Sequence, residues 1–332
     1  MKKKIAIALS ALLLMSAGLI AVNTASEEKT VEPPKAVMAE VDTEDEAGED
    51  AKEEIVFTKS FSKIKAGKTK TLKVNVTGAS WTSSDTNVAT VTDLGKVKAL
   101  RVGKTTISAV LGDQSASLLV KVKPKKVIGI DPGHQIRANT GTEPVGPGSS
   151  TMKTKVTGGT RGSYSGKAEY VLNLEVAKKL KAELKDRGYK VVLTRSKHEV
   201  DISNKERAQK LNKSCDIAIR LHADGAGSSS ASGASALYPG TDNPYIANLS
   251  AASKKLSEDI LDEYCKKTGI SKRGLSVRND LTGTNWSTIP VTLIEMGFMT
   301  NRSDDLYMAK ASNQKKMAEG MADGIDKYFG SK

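Results

Sequence analysis

Apolar and polar residues alternate strictly in several short stretches of the first third of the chain. Residues 70–76, KTLKVNV, show this period of two, which is typical of a strand with one buried face. The runs at residues 88–91 and 96–99 flank the turn sequence Thr-Asp-Leu-Gly, which predicts a β-hairpin. About six such strands between residues 55 and 123 predict a small all-β sandwich.

After a short joint at residues 123–126, apolar strands alternate with amphipathic helices. The helix that follows Gly166 repeats a buried-type residue every four positions from Leu172 to Leu184, so these residues share one face. Ser203 and Glu206 form the sequence of a capping box that begins another helix. Alternating strands and helices predict an α/β fold with a mainly parallel, twisted sheet and helices on both faces. The remaining predicted elements are strands at residues 127–134, 190–194, 216–222 and 289–295, a helix at residues 246–267, and helices that finish the chain to residue 329.

The first 54 residues differ from this pattern. Residues 1–25 combine three lysines, an uncharged apolar run of 18 residues and a small-residue end, which indicates a secretory signal peptide. The run also reaches the length of a membrane span, so an uncleaved anchor remains an alternative. Residues 26–54 hold twelve acidic residues and three lysines, which predicts a disordered acidic linker.

Charge narrows the class of partner. The chain has a formal net charge of +13; the signal contributes +3 and the linker −9, so residues 55–332 carry +19. A basic surface attracts anionic polymers. In a secreted protein we expect that polymer to belong to the cell wall, and the aromatic content of 4% offers no stacking pattern for nucleic acid. After signal cleavage no membrane contact is expected. Cys215 and Cys265 are too few for a disulfide framework; free thiols are expected, with a single bridge as the alternative.

Candidate chemistry lies at the ends of predicted strands. His134 and His222 each end a buried strand, and such carboxyl ends meet at the edge of an α/β sheet where sites form. Glu169 lies on the inward face of the helix it begins, where a carboxylate is costly unless it is paired or binds a metal. Two imidazoles and one carboxylate are a ligand set of catalytic zinc, and Glu295, which ends another buried strand, could serve as general base. His198, in a polar segment, is expected to be exposed and uninvolved.

Each residue alone has a simpler interpretation. His134 and His222 could be satisfied buried histidines, and Glu169 could be stabilised by the helix dipole. Their joint placement at one sheet edge favours the metal site.

Four motifs carry a family resemblance over residues 126–331. They are Asp-Pro-Gly-His ending at His134, Glu169 with Asn173-Leu174, Leu-His-Ala-Asp around His222, and Glu-Met-Gly-Phe-Met-Thr-Asn from Glu295. In this order they resemble the zinc-dependent N-acetylmuramoyl-L-alanine amidases of the amidase 3 type. The resemblance implies Zn²⁺ bound by His134, Glu169 and His222, with Glu295 as catalytic base. It also implies hydrolysis of the amide between N-acetylmuramic acid and L-alanine in peptidoglycan.

Residues 55–123 resemble a bacterial immunoglobulin-like group 2 domain. The resemblance rests on residues 79–85, 88–91, 95–97 and 103–107. It implies a wall-binding or spacer module, and the segment contains no catalytic constellation.

Two departures from the amidase pattern stand out. Between His134 and Glu169 lie 34 residues rich in Gly, Ser and Thr, where a shorter turn is common; this long segment is expected to rim a cleft and to bind substrate or act as a lid. Arg220 replaces a common serine and could contact substrate or pair with an inward acid. Asp131 could tune the site indirectly or form the turn.

Together these patterns predict a secreted, wall-associated peptidoglycan hydrolase. The predicted order is a signal peptide at residues 1–25, a linker at 26–54, a sandwich at 55–123 and a zinc amidase domain at 126–331. A different zinc peptidase acting on wall peptides and a non-catalytic wall-binding protein are the alternatives. The physiological role, the stem-peptide preference and the oligomeric state are left open by the sequence.

Overall fold

A computed structural model describes residues 53–330 of the chain. The predicted signal peptide, and all but the last two residues of the predicted acidic linker, lie outside this part. Within the described residues, no helix combines the length and apolar character needed to cross a membrane.

Residues 57–123 form an all-β sandwich, as the alternating pattern predicts. A four-stranded sheet has the order β2-β9-β8-β5, a three-stranded sheet has the order β3-β7-β6, and β1 pairs with β4. The predicted hairpin is confirmed because β6 and β7 pair antiparallel. There are nine strands where about six were expected; one of the additional strands arises because residues 70–76 divide at the buried Leu72. The strands are β1 Phe57–Lys59, β2 Lys63–Lys65, β3 Thr69–Thr71, β4 Lys73–Val74, β5 Ser80–Ser83, β6 Ala89–Val91, β7 Lys96–Ala99, β8 Gly103–Leu111 and β9 Gln114–Lys123.

The remaining residues build an α/β fold around a six-stranded sheet. Its order is β13-β10-β14-β17-β15-β16. The first four strands run parallel, and β15 lies antiparallel to β17. The sheet is therefore mainly parallel, as predicted. Its strands are β10 Val127–Pro132, β13 Lys190–Leu193, β14 Ile217–Asp224, β15 Ala234–Tyr238, β16 Lys272–Val277 and β17 Val291–Phe298; β11 Asn139–Pro144 and β12 Met152–Val156 form a separate hairpin. The helices are α1 Glu169–Asp186, α2 Asn204–Asn212, α3 Ser250–Thr268, α4 Thr282–Asn285, α5 Arg302–Ala309 and α6 Ala311–Tyr328.

The helices cover the two faces of this sheet unequally. On the first face, Leu180 of α1, Ile260 of α3 and Met321 of α6 pack in one apolar core with Ile219 of β14. The second face is covered by the shorter α2 and α4, where Leu211 packs in a small cluster of its own. Since side chains alternate along a strand, the second face receives every other residue of β14, including Arg220 and His222.

Local signals explain why the site-bearing elements begin where they do. The capping box predicted for α2 is present: the Ser203 side chain accepts from the Glu206 backbone and the Glu206 side chain accepts from the Ser203 backbone. All four apolar residues predicted to share one face of α1, from Leu172 to Leu184, are buried.

Candidate metal centre

His134 lies in the turn that follows β10, in an unusual backbone conformation. Among the described residues it is the only non-glycine residue with positive φ, at 60°, a conformation that costs free energy and needs support. Two buried arginines provide that support by donating to consecutive carbonyls of the turn. Arg195 donates to the carbonyls of Pro132 (2.9 Å) and Gly133 (3.0 Å). Arg207 donates to the carbonyls of Pro132 (2.8 Å) and His134 (3.0 Å).

The imidazole of His134 is oriented from the opposite side by the residue after β12. Its Nδ1 lies 2.9 Å from the carbonyl oxygen of Thr157. An Nδ1–H that donates to this carbonyl leaves the Nε2 lone pair free, which is the arrangement of metal-binding histidines. Nε2 points to Glu169 Oε1, 3.1 Å away.

Glu169 is the first residue of α1 and is 3% exposed. Its Oε2 accepts a hydrogen bond from the backbone of Thr160 (2.9 Å), and its Oε1 accepts one from Asn173 Nδ2 (3.3 Å). Burial acts to raise the pKa of Glu169, but the adjacent imidazoles of His134 and His222 outweigh it and hold the pKa below its usual range. The carboxylate is therefore charged and fixed in direction.

His222 enters the same cluster from β14. Its Nδ1 lies 3.1 Å from His134 Nε2 and 3.2 Å from Glu169 Oε1. Burial lowers the pKa of His222 to about 4, with Glu169 acting in the opposite direction, so the ring is neutral near pH 7 and can offer a lone pair. Gly133 makes room for this ring, because a Cβ at that position would lie 2.3 Å from it.

These three side chains fit a metal ion. One potential ligand atom from each residue lies within 4.8 Å of the others. The closest atoms, His134 Nε2, His222 Nδ1 and Glu169 Oε1, are separated by 3.1–3.2 Å. In a tetrahedral zinc site with bonds of about 2.0–2.1 Å, ligand atoms lie roughly 3.3 Å apart.

Glu295 lies beside this cluster on β17. Its Cα is paired with that of His222 across the parallel strands β14 and β17, and both side chains belong to the second face. Glu295 Oε2 is buried and has no hydrogen-bond partner among the described residues. Burial raises the pKa of Glu295 well above its usual range, and the nearby charges of Glu169 and Asp224 raise it further. The structure thus brings together all four predicted site residues.

A cavity of about 570 Å³ opens over the cluster. His134, His222 and Glu295 lie in its floor, and one wall comes from the hairpin β11–β12. The long segment between the first His and the Glu therefore rims the cleft, as expected from the sequence.

The hairpin is anchored at several points. Trp286 Nε1 donates to the carbonyl of Pro144 (2.9 Å), and Asn204 Nδ2 donates to that of Lys155 (2.8 Å). Across the cleft, Lys153 Nζ donates to the Asp280 carbonyl at 2.6 Å and lies 3.1 Å from its carboxylate. These contacts hold the hairpin as a wall of the cleft; whether it binds substrate or acts as a lid stays a prediction.

Arg220 and Asp131 pair with each other beneath the cleft. Arg220 Nε lies 3.0 Å from Asp131 Oδ2, and its Nη2 donates to Asn204 Oδ1 at 2.6 Å. Asp131 also accepts from Arg207 (2.9 Å) and Thr194 (2.6 Å). Burial acts to raise the pKa of Asp131, but the charges of Arg207 and Arg220 hold it below its usual range. Asp131 therefore contacts the metal cluster only indirectly, through Arg207, which supports the His134 turn.

The sequence did not predict that Arg195 and Arg207 support the His134 turn. The only available signal was that Arg207 precedes the apolar Leu211 by four residues and so shares its helix face.

Two smaller expectations can be settled. His198 is half-buried rather than exposed: its ring packs edge-on against Tyr170 at 5.3 Å, and its Nδ1 is buried without a partner in the described residues. The expected exposure of His198 was wrong because a polar local sequence does not reveal tertiary packing. Cys215 and Cys265 are both free thiols, which confirms the expectation and excludes the single bridge.

Comparison with known proteins gives consistent matches. The family model described as N-acetylmuramoyl-L-alanine amidase matches residues 128–327, and the model of the bacterial Ig-like domain (group 2) matches residues 54–122. The N-acetylmuramoyl-L-alanine amidase LytC of Bacillus subtilis is 31% identical over 166 residues, which cover 50% of this chain and 32% of that protein. An N-acetylmuramoyl-L-alanine amidase of Mycobacterium tuberculosis is 30% identical over 210 residues, which cover 60% of this chain and 84% of that protein. The chain thus spans about a third of the first relative's length and most of the second's.

Solved structures agree with the fold. An N-acetylmuramoyl-L-alanine amidase from Clostridium difficile has a TM-score of 0.50 and 28% identity, over 62% of this chain and 98% of that one. The amidase Ami1 from Mycobacterium smegmatis has a TM-score of 0.57 and 24% identity, over 63% of this chain and 99% of that one.

Proposed function

The chain belongs to the N-acetylmuramoyl-L-alanine amidase family, and we propose that it hydrolyses peptidoglycan at the amide between N-acetylmuramic acid and the L-alanine of the stem peptide. In this proposal His134, Glu169 and His222 bind Zn²⁺, and Glu295 is the general base.

One observation carries the proposal. Three potential metal ligands converge to 3.1–3.2 Å, and a buried carboxylate oxygen without a described partner lies on the neighbouring strand. A metal site with an adjacent unpaired carboxylate is the arrangement of a metal-assisted hydrolase. Since polar groups buried without partners cost stability, a function at this position explains why Glu295 Oε2 remains unpaired.

The donor set suits zinc, which prefers nitrogen and carboxylate ligands and leaves a coordination position open in catalytic sites. Zinc held there would supply a Lewis acid that lowers the pKa of water and polarises the amide carbonyl. The protein's own contribution to binding is orientation: Thr157 sets the ring of His134, and Thr160 and Asn173 hold the carboxylate of Glu169.

Glu295 moves the protons. Its Oε2 accepts one from the attacking water as the water oxygen bonds to the amide carbonyl carbon. It then gives that proton to the alanine nitrogen as the carbon–nitrogen bond breaks. A buried carboxyl suits both steps, because burial favours the protonated form that must exist between them. The products are a glycan strand with a free lactyl carboxylate and a peptide with a free N-terminal amine.

We further propose that the protein is secreted and associated with the cell wall. The apparent signal at residues 1–25 and the charge of +19 on residues 55–332 support this location. The immunoglobulin-like sandwich would serve as a wall-binding or spacer module. The alternative is an uncleaved signal that anchors the protein in the membrane of the exporting cell, on its external side. The mass of the exported protein distinguishes the two, because cleavage removes the signal peptide.

Mass spectrometry of digested wall provides the decisive test. Purified peptidoglycan incubated with the protein should release peptides that begin with free L-alanine while the glycan remains intact. Removal of metal with a chelator should stop release, and added zinc should restore it. Cleavage within the peptide would instead identify a zinc endopeptidase or carboxypeptidase, and binding without cleavage would identify a non-catalytic wall-binding protein.

The variant His222→Ala supplies the matching control. It should lose both stoichiometric zinc, measured by elemental analysis, and peptide release. If wild-type protein holds no metal and cleaves wall in the presence of chelator, the metal assignment is wrong.

A further inference from the structure

The outward face of the four-stranded sheet in the sandwich carries five exposed lysines. Neighbours of each lysine along the strand, such as Ile64, Val120 and Val122, are buried, so the lysine side chains point away from the core. We call this set the lysine face: Lys63 and Lys65 on β2, Lys104 on β8, and Lys121 and Lys123 on β9.

Strand register brings these lysines side by side. Lys63 is paired with Lys121 in the parallel pair β2–β9, and Lys121 is paired with Lys104 in the antiparallel pair β8–β9. The next position along β2 and β9 pairs Lys65 with Lys123. Adjacent strands lie about 4.8 Å apart, so three ammonium groups form a row across three strands and two more lie one pleat away.

Nothing in the described part of the chain neutralises this face. The other outward positions of the four strands are Ser, Thr, Val and Leu, without Asp or Glu, and none of the five lysines forms a salt bridge with a described residue. Like charges placed directly opposite each other destabilise a sheet. The repulsion between these lysines lowers the stability of the free protein, and a bound polyanion would relieve it.

We propose that the lysine face binds a linear polymer with repeated phosphate groups. Lysine binds phosphate as a point charge without a fixed donor geometry, which suits a flexible polymer. Arginine would offer a planar fork for bidentate recognition of carboxylate and phosphate alike, and the face contains no arginine. It also has no aromatic side chain, because Trp81 of β5 lies opposite the buried Ala109 on the inward side. Without a stacking surface, single-stranded nucleic acid is a poor fit. The grid of lysines, about 5 Å across strands and 7 Å along them, lets flexible side chains meet successive phosphates.

The inference deepens the proposed association with the cell wall and rests on it for its setting. Its test measures binding and stability rather than hydrolysis. Loss of amidase activity would therefore leave it standing, and its failure would leave the amidase proposal standing.

The test compares two triple variants of the full chain that remove the same charge. The first changes Lys63, Lys104 and Lys121 to Gln. The control changes Lys73→Gln, Lys96→Gln and Lys98→Gln, three exposed lysines outside the four-stranded sheet. Binding of inorganic polyphosphate is measured at several salt concentrations, with poly-L-glutamate and a single-stranded oligonucleotide as competing probes.

We expect the first variant to bind polyphosphate roughly 10- to 100-fold more weakly and the control to change less than threefold. The slope of log affinity against log salt should fall by about two to three for the first variant alone. At low salt its melting temperature should also rise by about 1–3 °C, since the repulsion is relieved. Equal loss in both variants would show that only net charge matters. Unchanged binding in the first variant, or tighter binding of polyglutamate or the oligonucleotide than of polyphosphate, would overturn the proposal.

Discussion

The two faces of the six-stranded sheet are built on different principles. One face is covered by α1, α3 and α6, which have 18, 19 and 18 residues and bury aliphatic side chains such as Leu180. The other is covered by α2 and α4, with nine and four residues. Between α2 and the sheet lie the buried charges of Arg207, from α2 itself, and of Asp131 and Arg220.

This difference explains where the site forms. Short helices leave the carboxyl ends of β14 and β17 uncovered on the second face, so His222 and Glu295 border a cleft there. The first face supplies stability through apolar burial. The second face uses ion pairs and hydrogen bonds to fix the direction of groups that must later act, and a satisfied polar network is rigid.

The largest effect should come from removing the carboxylate of Glu295, the proposed general base on the second face. Glu295→Gln keeps the size of the side chain, so zinc should remain bound. Turnover should fall by roughly 10²–10⁴, the usual contribution of a general base. Elemental analysis and the rate of peptide release measure the two quantities. Wild-type turnover in this variant would remove Glu295 from the mechanism.

Glu169→Gln should produce the complementary result. Zinc affinity should drop by more than the roughly 10–100-fold that follows loss of an outer partner of a metal ligand, and excess zinc should restore part of the activity. If Glu169→Gln retains full metal while Glu295→Gln loses it, the two roles are reversed.

Asp131→Asn tests the buried charges of the second face. Breaking a buried ion pair leaves Arg207 and Arg220 uncompensated, and we expect a loss of about 3–5 kcal/mol in the free energy of unfolding. Zinc affinity should fall too, because Arg207 supports the His134 turn. Denaturant unfolding and metal titration measure both.

Leu180→Ala on the first face is the control for that variant. It should cost about 2–5 kcal/mol in stability and leave zinc affinity unchanged in the folded protein. Equal loss of zinc affinity in both variants would mean that the two faces are not functionally distinct.

Low pH should destabilise the protein partly through protonation of Asp131. The folded-state pKa of Asp131 lies below its usual range, so its contribution to stability is present above about pH 4 and is lost as the pH falls through the folded-state value. Below pH 4 the free energy of unfolding should therefore depend less steeply on pH for Asp131→Asn than for wild type, as measured by denaturant unfolding at several pH values.

The smallest effect should come from the rim of the cleft. Lys153 and Asp280 are both substantially exposed, at 40% and 54%. Lys153→Gln should change stability by less than about 1 kcal/mol and leave zinc content unchanged. A change in KM for soluble muropeptides with constant zinc content would show that this wall contacts substrate.

Local pattern was sufficient for the elements that pack on the first face. The repeat from Leu172 to Leu184 predicted the buried side of α1 because helical periodicity is contained in neighbouring residues. The same holds for the capping box at Ser203. Two strands of the sheet, β15 and β16, were missed. β15 has only five residues, ASALY, and the edge strand β16, KRGLSV, is polar and only partly buried.

The second face was predicted less completely because its contacts join distant residues. The sequence identified His134, His222, Glu169 and Glu295 as one cluster, through strand ends and family resemblance. It did not reveal that Arg207 supports the His134 turn, since that contact joins residues 73 positions apart. Nor did the Gly-, Ser- and Thr-rich segment before α1 show the apolar alternation that would have predicted a hairpin.

The pairing of His222 with Glu295 ties activity to strand alignment. Side chains alternate with a period of two, so a shift of β17 by a single residue would place Ile294 or Met296 opposite His222 and turn the carboxylate toward the apolar core. The proposed metal ligands and the proposed base thus meet only when the central parallel pair has closed in its native alignment. Hydrolysis recovered during refolding would therefore report the fraction of molecules whose sheet is correctly aligned. Spectroscopy of helix content would not, because misaligned molecules can contain the same helices.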